Sequence, residues 1–136
     1  MNPTTVSTPL LSGKKILLVE DDPFLGKILY SRLQSNEAKA TLVTEGDRAL
    51  TEVMNNVPDA VLLDIQLPVM DGFQILSAMR ENKKTKDVPV IIISNFNQMK
   101  DKEHATELGA DFLVKALVTP DDIMNHVKEV LDAKGK

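Results

Sequence analysis

Acidic residues gather at two points of this sequence where an apolar run ends. Glu20, Asp21 and Asp22 follow Leu17-Leu18-Val19, and Asp64 follows Val61-Leu62-Leu63. Two later apolar runs end in Ser94 and Lys115. If one fold brings these ends together, the carboxylates crowd and raise one another's pKa. A hard divalent cation such as Mg²⁺ relieves that conflict, because it takes carboxylate, carbonyl and water oxygens in an octahedron. A lysine beside it can pair with an anion, and a serine hydroxyl can donate one hydrogen bond. Acids, metal, lysine and hydroxyl together suit phosphoryl transfer, in which positive charge balances the equatorial oxygens while a nucleophile attacks in line. A carboxylate can be that nucleophile by forming an acyl phosphate. Asp64 is the candidate, because the end of a central strand would set it between the others.

The elements that must deliver these residues alternate in type. Apolar runs read as strands at Lys15–Glu20, Lys39–Thr44, Ala60–Asp64, Val88–Ser94 and Asp111–Lys115. The strongest are continuous rather than alternating, as strands buried on both faces are. Between them lie segments with helical spacing. From Pro23, Leu25, Ile28, Leu29 and Leu33 recur three and four residues apart, with Asp22 as the candidate N-cap. Further helices are expected at about residues 47–56, from Asp71-Gly72 onward, and at about Met99–Leu108. The Met99–Leu108 stripe is thin, Gly109 ends it, and Met99 is a candidate for a partner surface. The last helix starts with Thr119 as N-cap and Pro120 at the first position, and buries Ile123, Val127, Val130 and Leu131. Asp71 reads as a helix N-cap and Gly72 as a backbone requirement. The run from Arg80 to Lys86 reads as a solvated helix end and loop, and His104 and His126 as surface residues.

Five strands alternating with five helices predict an α/β fold: a doubly wound parallel sheet with right-handed crossovers. In such sheets ligands bind beyond the carboxyl ends of the strands. With strand order 2-1-3-4-5, the ends of strands one, three, four and five are neighbours. The expected division is a loose Thr/Ser/Pro-rich tail over residues 1–13, one domain over 14–133 and a polar tail over 134–136.

At this point the residues resemble a known family, the CheY-like receiver domain of two-component response regulators. The likeness runs over about residues 14–133. It is carried by Leu18-Val19-Glu20-Asp21-Asp22, by Asp64-Ile65-Gln66-Leu67-Pro68-Val69-Met70-Asp71-Gly72, by Ile93-Ser94 and by Phe112-Leu113-Val114-Lys115. Ser94 lies 30 residues beyond Asp64, and Lys115 a further 21. The resemblance implies a flavodoxin-like fold and a role for each residue. Asp64 matches the phosphoacceptor. Glu20 and Asp21 match the acidic pair that holds Mg²⁺, Asp21 directly and Glu20 more through water. Gln66 stands where the family offers a backbone carbonyl to the metal. Ser94 matches the switch hydroxyl, Phe112 the switch aromatic, and Lys115 the lysine that pairs with the phosphoryl group. The donor would be a phosphohistidine on a sensor histidine kinase or a histidine phosphotransfer protein, and a downstream protein target would read the result. The chain is then expected to be a stand-alone switch rather than a turnover enzyme.

Two positions depart from the family pattern. Ala116 replaces the usual proline after the lysine, so either a trans bond with an altered loop or a strained cis bond is expected, the latter costing about 3–4 kcal/mol. Asn95 replaces a usually small residue after Ser94, and is expected to alter the lifetime of the acyl phosphate.

Three other function classes suit these residues less well. A phosphatase of the haloacid dehalogenase type with an aspartyl nucleophile typically has a second acid two residues on, where this chain has Gln66. An FMN module needs a Ser/Thr/Gly-rich phosphate loop after the first strand, where this chain has acids. A phosphorylation-independent receiver-like adaptor needs a site less complete than this one.

Composition narrows the remaining field. The net charge of −4 disfavours nonspecific contact with nucleic acid or an anionic membrane. No cysteine is present, which excludes disulfides, zinc thiolates and thiol nucleophiles. No apolar run approaches the roughly 18 residues of a membrane span. The expectation is a cytoplasmic protein without direct nucleic-acid binding or membrane insertion.

Overall fold

The computed structural model describes residues 8–95 and 99–134. In chain order the elements are β1 (Lys15–Val19), α1 (Pro23–Ser35), β2 (Lys39–Val43), α2 (Gly46–Asn55), β3 (Ala60–Asp64) and α3 (Gly72–Glu81). Then come β4 (Val90–Ser94), α4 (Met99–Glu107), β5 (Asp111–Val114), a 3₁₀ turn (Lys115–Leu117) and α5 (Pro120–Lys134). The strands form one parallel sheet in the order β2-β1-β3-β4-β5. This is the expected flavodoxin-like fold.

The continuous apolar strands arise because helices cover both faces of the sheet. Leu17, Val19, Val61, Leu63, Val90 and Ile92 face α2, α3 and α4, meeting Ala49, Val53, Ile75, Leu76, Met79 and Ala105. Their neighbours Ile16, Leu18, Ala60, Leu62, Ile91 and Ile93 face α1 and α5, meeting Leu29, Leu33, Ile123, Met124 and Val127. Each fully buried Leu, Ile or Val contributes about 1.5–3 kcal/mol.

The starts of the helices explain where the loops turn. Asp22 accepts from the Phe24 and Leu25 N–H groups at 2.9 and 3.4 Å. Asp71 and Gln74 form a reciprocal capping box, Asp71 Oδ1 accepting from Gln74 N at 3.0 Å and Gln74 Oε1 from Asp71 N at 2.9 Å. Thr119 and Asp122 do the same for α5 at 3.0 and 2.8 Å. Helix α4 is held least: Ala105 is its one buried residue among those described, and Met99 is 73% exposed. Its end is a left-handed Gly109 (φ 69°), with Ala110 N donating to Ala105 O at 2.9 Å.

Three expectations need correction. The sequence predicts a tail that reaches Gly13, yet Leu11 is only 1% exposed and belongs to the α1–α5 core. Leu11 N donates to Asn36 O and Gly13 N to Glu37 O, each at 3.0 Å, so the segment is tied to the turn between α1 and β2. Expectations for residues 1–7 lie outside the described residues, and α5 continues to Lys134. Strand β4 begins at Val90 rather than Val88, because Val88 N is taken by Thr85 O at 3.1 Å and Pro89 has no N–H. The segment from Arg80 to Lys86 is not simply solvated. The Arg80 guanidinium donates to the carbonyls of Leu108 (2.7 Å), Gly109 (3.3 Å), Lys86 (3.1 Å) and Val88 (2.8 Å). Thr85 is fully buried with its hydroxyl on Met79 O at 2.7 Å.

Candidate functional site

The register of the sheet sets the site. Val19 pairs with Leu63, so Glu20 follows at the level of Asp64, and Asp64 in turn pairs with Ile93. Ser94 comes one step further and pairs with Val114, which hands the chain to Lys115. Glu20, Asp64, Ser94 and Lys115 are thereby delivered to one rim. Glu20 N donates to Val43 O at 3.0 Å, which fixes the start of the β1–α1 loop.

The charged groups meet directly. Lys115 Nζ lies 2.8 Å from Glu20 Oε1 and 2.9 Å from Asp64 Oδ2. Asp22 N donates to Glu20 Oε2 at 3.1 Å, and Gln66 N to Asp64 Oδ1 at 3.2 Å. Glu20 and Asp64 are buried, at 3% and 6% exposure, whereas Asp21 is exposed above them. Burial pushes the Glu20 carboxyl above its ordinary value and the negative Asp64 adds to this, while Lys115 and the Asp22 N–H oppose it. Burial pulls the Lys115 ammonium down, but its two carboxylate partners more than offset that and leave it raised. One ammonium therefore serves two buried carboxyl groups, with the exposed Asp21 clustered beside them.

A cation fits this donor set. One oxygen each from Glu20, Asp21 and Asp64 lies within 4.8 Å of the other two. Three carboxylate oxygens gathered this closely are the hard donors that Mg²⁺ takes. The surplus of negative charge left by Lys115 supplies the driving force. Above the acids opens a cleft of about 710 Å³, lined by Asp21, Gln66, Pro68, Asp71 and Asp101 among others.

Ser94 ends β4 at 1% exposure, level with the acids. Phe112 is half-buried against the core on the α2–α4 side of the sheet. Gln66 reaches Asp64 through its N–H, and its side chain is exposed. No peptide bond among the described residues is cis, so the Lys115–Ala116 bond is trans and the loop takes the altered form, a 3₁₀ turn. Of the two histidines, His104 stacks on Phe73 with ring centroids 4.3 Å apart, and His126 pairs with Asp111 at 2.8 Å. Neither reaches the acids.

The β3–α3 loop is shaped by features that residue types alone do not reveal. A Cβ on Gly72 would lie 2.4 Å from Asp64 O and 2.9 Å from Ile65 Cα, so α3 starts directly against the backbone of the nucleophile candidate. A Cβ on Gly46 would meet Met70 O at 1.8 Å, which brings α2 equally close to the far side of the loop. Val69 has φ 72°, and Met70 N donates to Pro68 O across it at 2.8 Å. A three-residue turn of this kind is rare, and a β-branched residue in it costs about 1–3 kcal/mol. Sequence reasoning had no signal for it, because valine is not a residue of left-handed backbone.

Comparisons with known proteins agree with this geometry. The transcriptional regulatory protein BaeR of Escherichia coli is 33% identical over 117 residues, which are 86% of this chain and 48% of BaeR. The chain spans about half the length of the curated relatives it matches. A putative response regulator from Chloroflexus aurantiacus superposes with a TM-score of 0.82 at 27% identity, covering 89% of this chain and 99% of that one. The receiver domain of the Pseudomonas aeruginosa sensor histidine kinase PA1611, solved with a magnesium ion in its active-site cleft, gives a TM-score of 0.80 at 28% identity, covering 89% and 99%. The family model described as the response regulator receiver domain matches residues 16–128, from β1 into α5, and the chain belongs to that family.

Proposed function

We propose that this receiver domain is a phosphorylation-dependent signalling switch that accepts a phosphoryl group on Asp64 from a phosphohistidine. The donor is a sensor histidine kinase or a histidine phosphotransfer protein. The observation that carries the reading is the position of the Asp64 carboxylate, at a strand end, 2.9 Å from the Lys115 ammonium and clustered with Glu20 and Asp21. The Asp64 carboxylate attacks phosphorus in line, the P–N bond to histidine breaks, and the released imidazole nitrogen takes up a proton. Lys115 stays paired to the new phosphoryl oxygens and stabilises the acyl phosphate. Glu20, Asp21, Asp64 and the Gln66 carbonyl would hold Mg²⁺, which when bound neutralises charge on the transferring group. The chain modifies itself once per cycle and turns over no separate substrate.

The added negative charge draws the Ser94 hydroxyl toward the phosphoryl group, and Phe112 follows into the space vacated. The surface formed by α4, β5 and α5 thereby shifts between two states, and whatever contacts that surface reads the difference. The reader is a separate protein target or a further segment of a longer chain. Relatives named as transcriptional regulators give no support to the expectation that nucleic acid plays no part.

Intact-mass measurement after incubation with acetyl phosphate or a charged kinase and Mg²⁺ tests the reading. One phosphoryl adduct is expected, absent in Asp64→Asn and on chelation. An adduct that survives Asp64→Asn sinks the assignment.

A further inference from the structure

Val69 combines two properties that make no sense for folding alone. Its backbone sits at φ 72°, where glycine would rest without strain, and its side chain is 77% exposed. The isopropyl group therefore buries almost nothing within the chain, while its Cβ keeps the turn strained. A glycine would build the same turn more favourably. The other large apolar side chains exposed among the described residues are Phe24 (64%), Met99 (73%) and Leu117 (72%). Phe24 follows β1, Met99 follows β4 and Leu117 follows β5, so all four stand on the rim that carries Asp64. Exposed acids, Asp21, Asp22 and Asp71, are interspersed with them.

We infer that Val69 is a recognition residue for the protein that carries the phosphohistidine, its side chain held outward to meet an apolar patch beside that histidine. The inference rests on Asp64 being the phosphoacceptor. A protein donor must cover this rim to bring its phosphorus to a carboxylate that is only 6% exposed. The alternation of apolar and acidic groups selects a donor face that is apolar and edged with basic side chains. A small donor such as acetyl phosphate enters without touching Val69. The side chain therefore discriminates between the two kinds of donor.

The test compares wild type, Val69→Gly and Val69→Ile with two donors, acetyl phosphate and a histidine kinase core chosen because it labels the wild type. Val69→Gly is expected to melt about 2–4 °C higher, since relief of strain exceeds the added chain entropy. It should label from acetyl phosphate at the wild-type rate. Transfer from the kinase should show a KM raised about fivefold to tenfold with kcat nearly unchanged, and Val69→Ile should restore it. A lower melting temperature for Val69→Gly, or unchanged transfer from the kinase, overturns the inference. So does a variant that loses self-association of the wild type but keeps transfer, because the side chain then serves a second copy. Labelling by either donor that persists in Asp64→Asn overturns the phosphoacceptor reading as well. Normal acetyl phosphate labelling with equal kinase transfer overturns only the role of Val69.

Discussion

Lys115 Nζ and Asp64 Oδ2 lie 2.9 Å apart although 51 residues separate them, and both are largely withdrawn from solvent. The pair is closed by the register of β3, β4 and β5, and Glu20 completes it on the other side at 2.8 Å. Before any metal arrives, this ammonium is the counter-charge that lets two buried carboxyl groups coexist.

Replacing Lys115 by alanine removes that counter-charge and leaves Glu20 and Asp64 uncompensated. A loss of about 3 kcal/mol of stability is expected at neutral pH in the presence of a chelator. The pH dependence has a definite sign. Burial already raises the Glu20 carboxyl above its ordinary 4.5, so its contribution to stability is complete below that value and is lost as pH rises through the folded pKa. Without Lys115 the loss deepens, so the gap between Lys115→Ala and wild type should widen from pH 4 to pH 8. Denaturant unfolding at several pH values checks this, and a gap independent of pH contradicts it. Phosphoryl acceptance should also fall by about 100-fold.

Gly72→Ala should act on the site through the backbone. Its Cβ has no flexible neighbour to push aside, because the atoms at 2.4 and 2.9 Å are Asp64 O and Ile65 Cα. We expect a loss of about 2 kcal/mol from overpacking. The rise in melting temperature on adding Mg²⁺ should shrink as well, since Asp64 is displaced. Calorimetry with and without Mg²⁺ measures both, and a variant with the wild-type metal response refutes the second effect.

Leu11→Ala should cost about 2–4 kcal/mol, as for a leucine buried in a core. Urea denaturation decides the matter. A change below about 0.5 kcal/mol is what a solvated tail residue would give.

Asn95 is exposed immediately after the buried Ser94, at the end of β4. Asn95→Ala should open the site to water and shorten the lifetime of the acyl phosphate. Decay of the labelled protein after removal of the donor is the measurement, and equal decay rates would discard the role.

Much of this arrangement is legible in the sequence because a parallel sheet converts linear pattern into place. The runs Ile16–Val19, Ala60–Leu63 and Val90–Ile93 are apolar at every position, so they announce strands covered on both faces. Once the strands are known, the residues that end them lie on one rim, and Glu20, Asp64 and Lys115 do meet there. What stays hidden depends on one residue acting far from its neighbours. Leu11 has only Leu10 beside it in a polar stretch, and nothing local says that the turn at Asn36 and Glu37 receives it. Arg80 looks like any charge at a helix end, yet its four acceptors come from segments as much as 29 residues away. The strain at Val69 is invisible for the opposite reason, since residue type points away from the conformation observed.

The carbonyl acceptors of Arg80 fall into two groups, Leu108 and Gly109 at the end of α4, and Lys86 and Val88 at the approach to β4. One planar cation thus rivets the heel of α4 to the body of the domain, while at its toe Met99 is exposed and, among the described residues, Ala105 alone is sunk between them. On the proposed switching of Ser94, this helix would swing like a door on its far hinge, with the widest travel at the end nearest the acids.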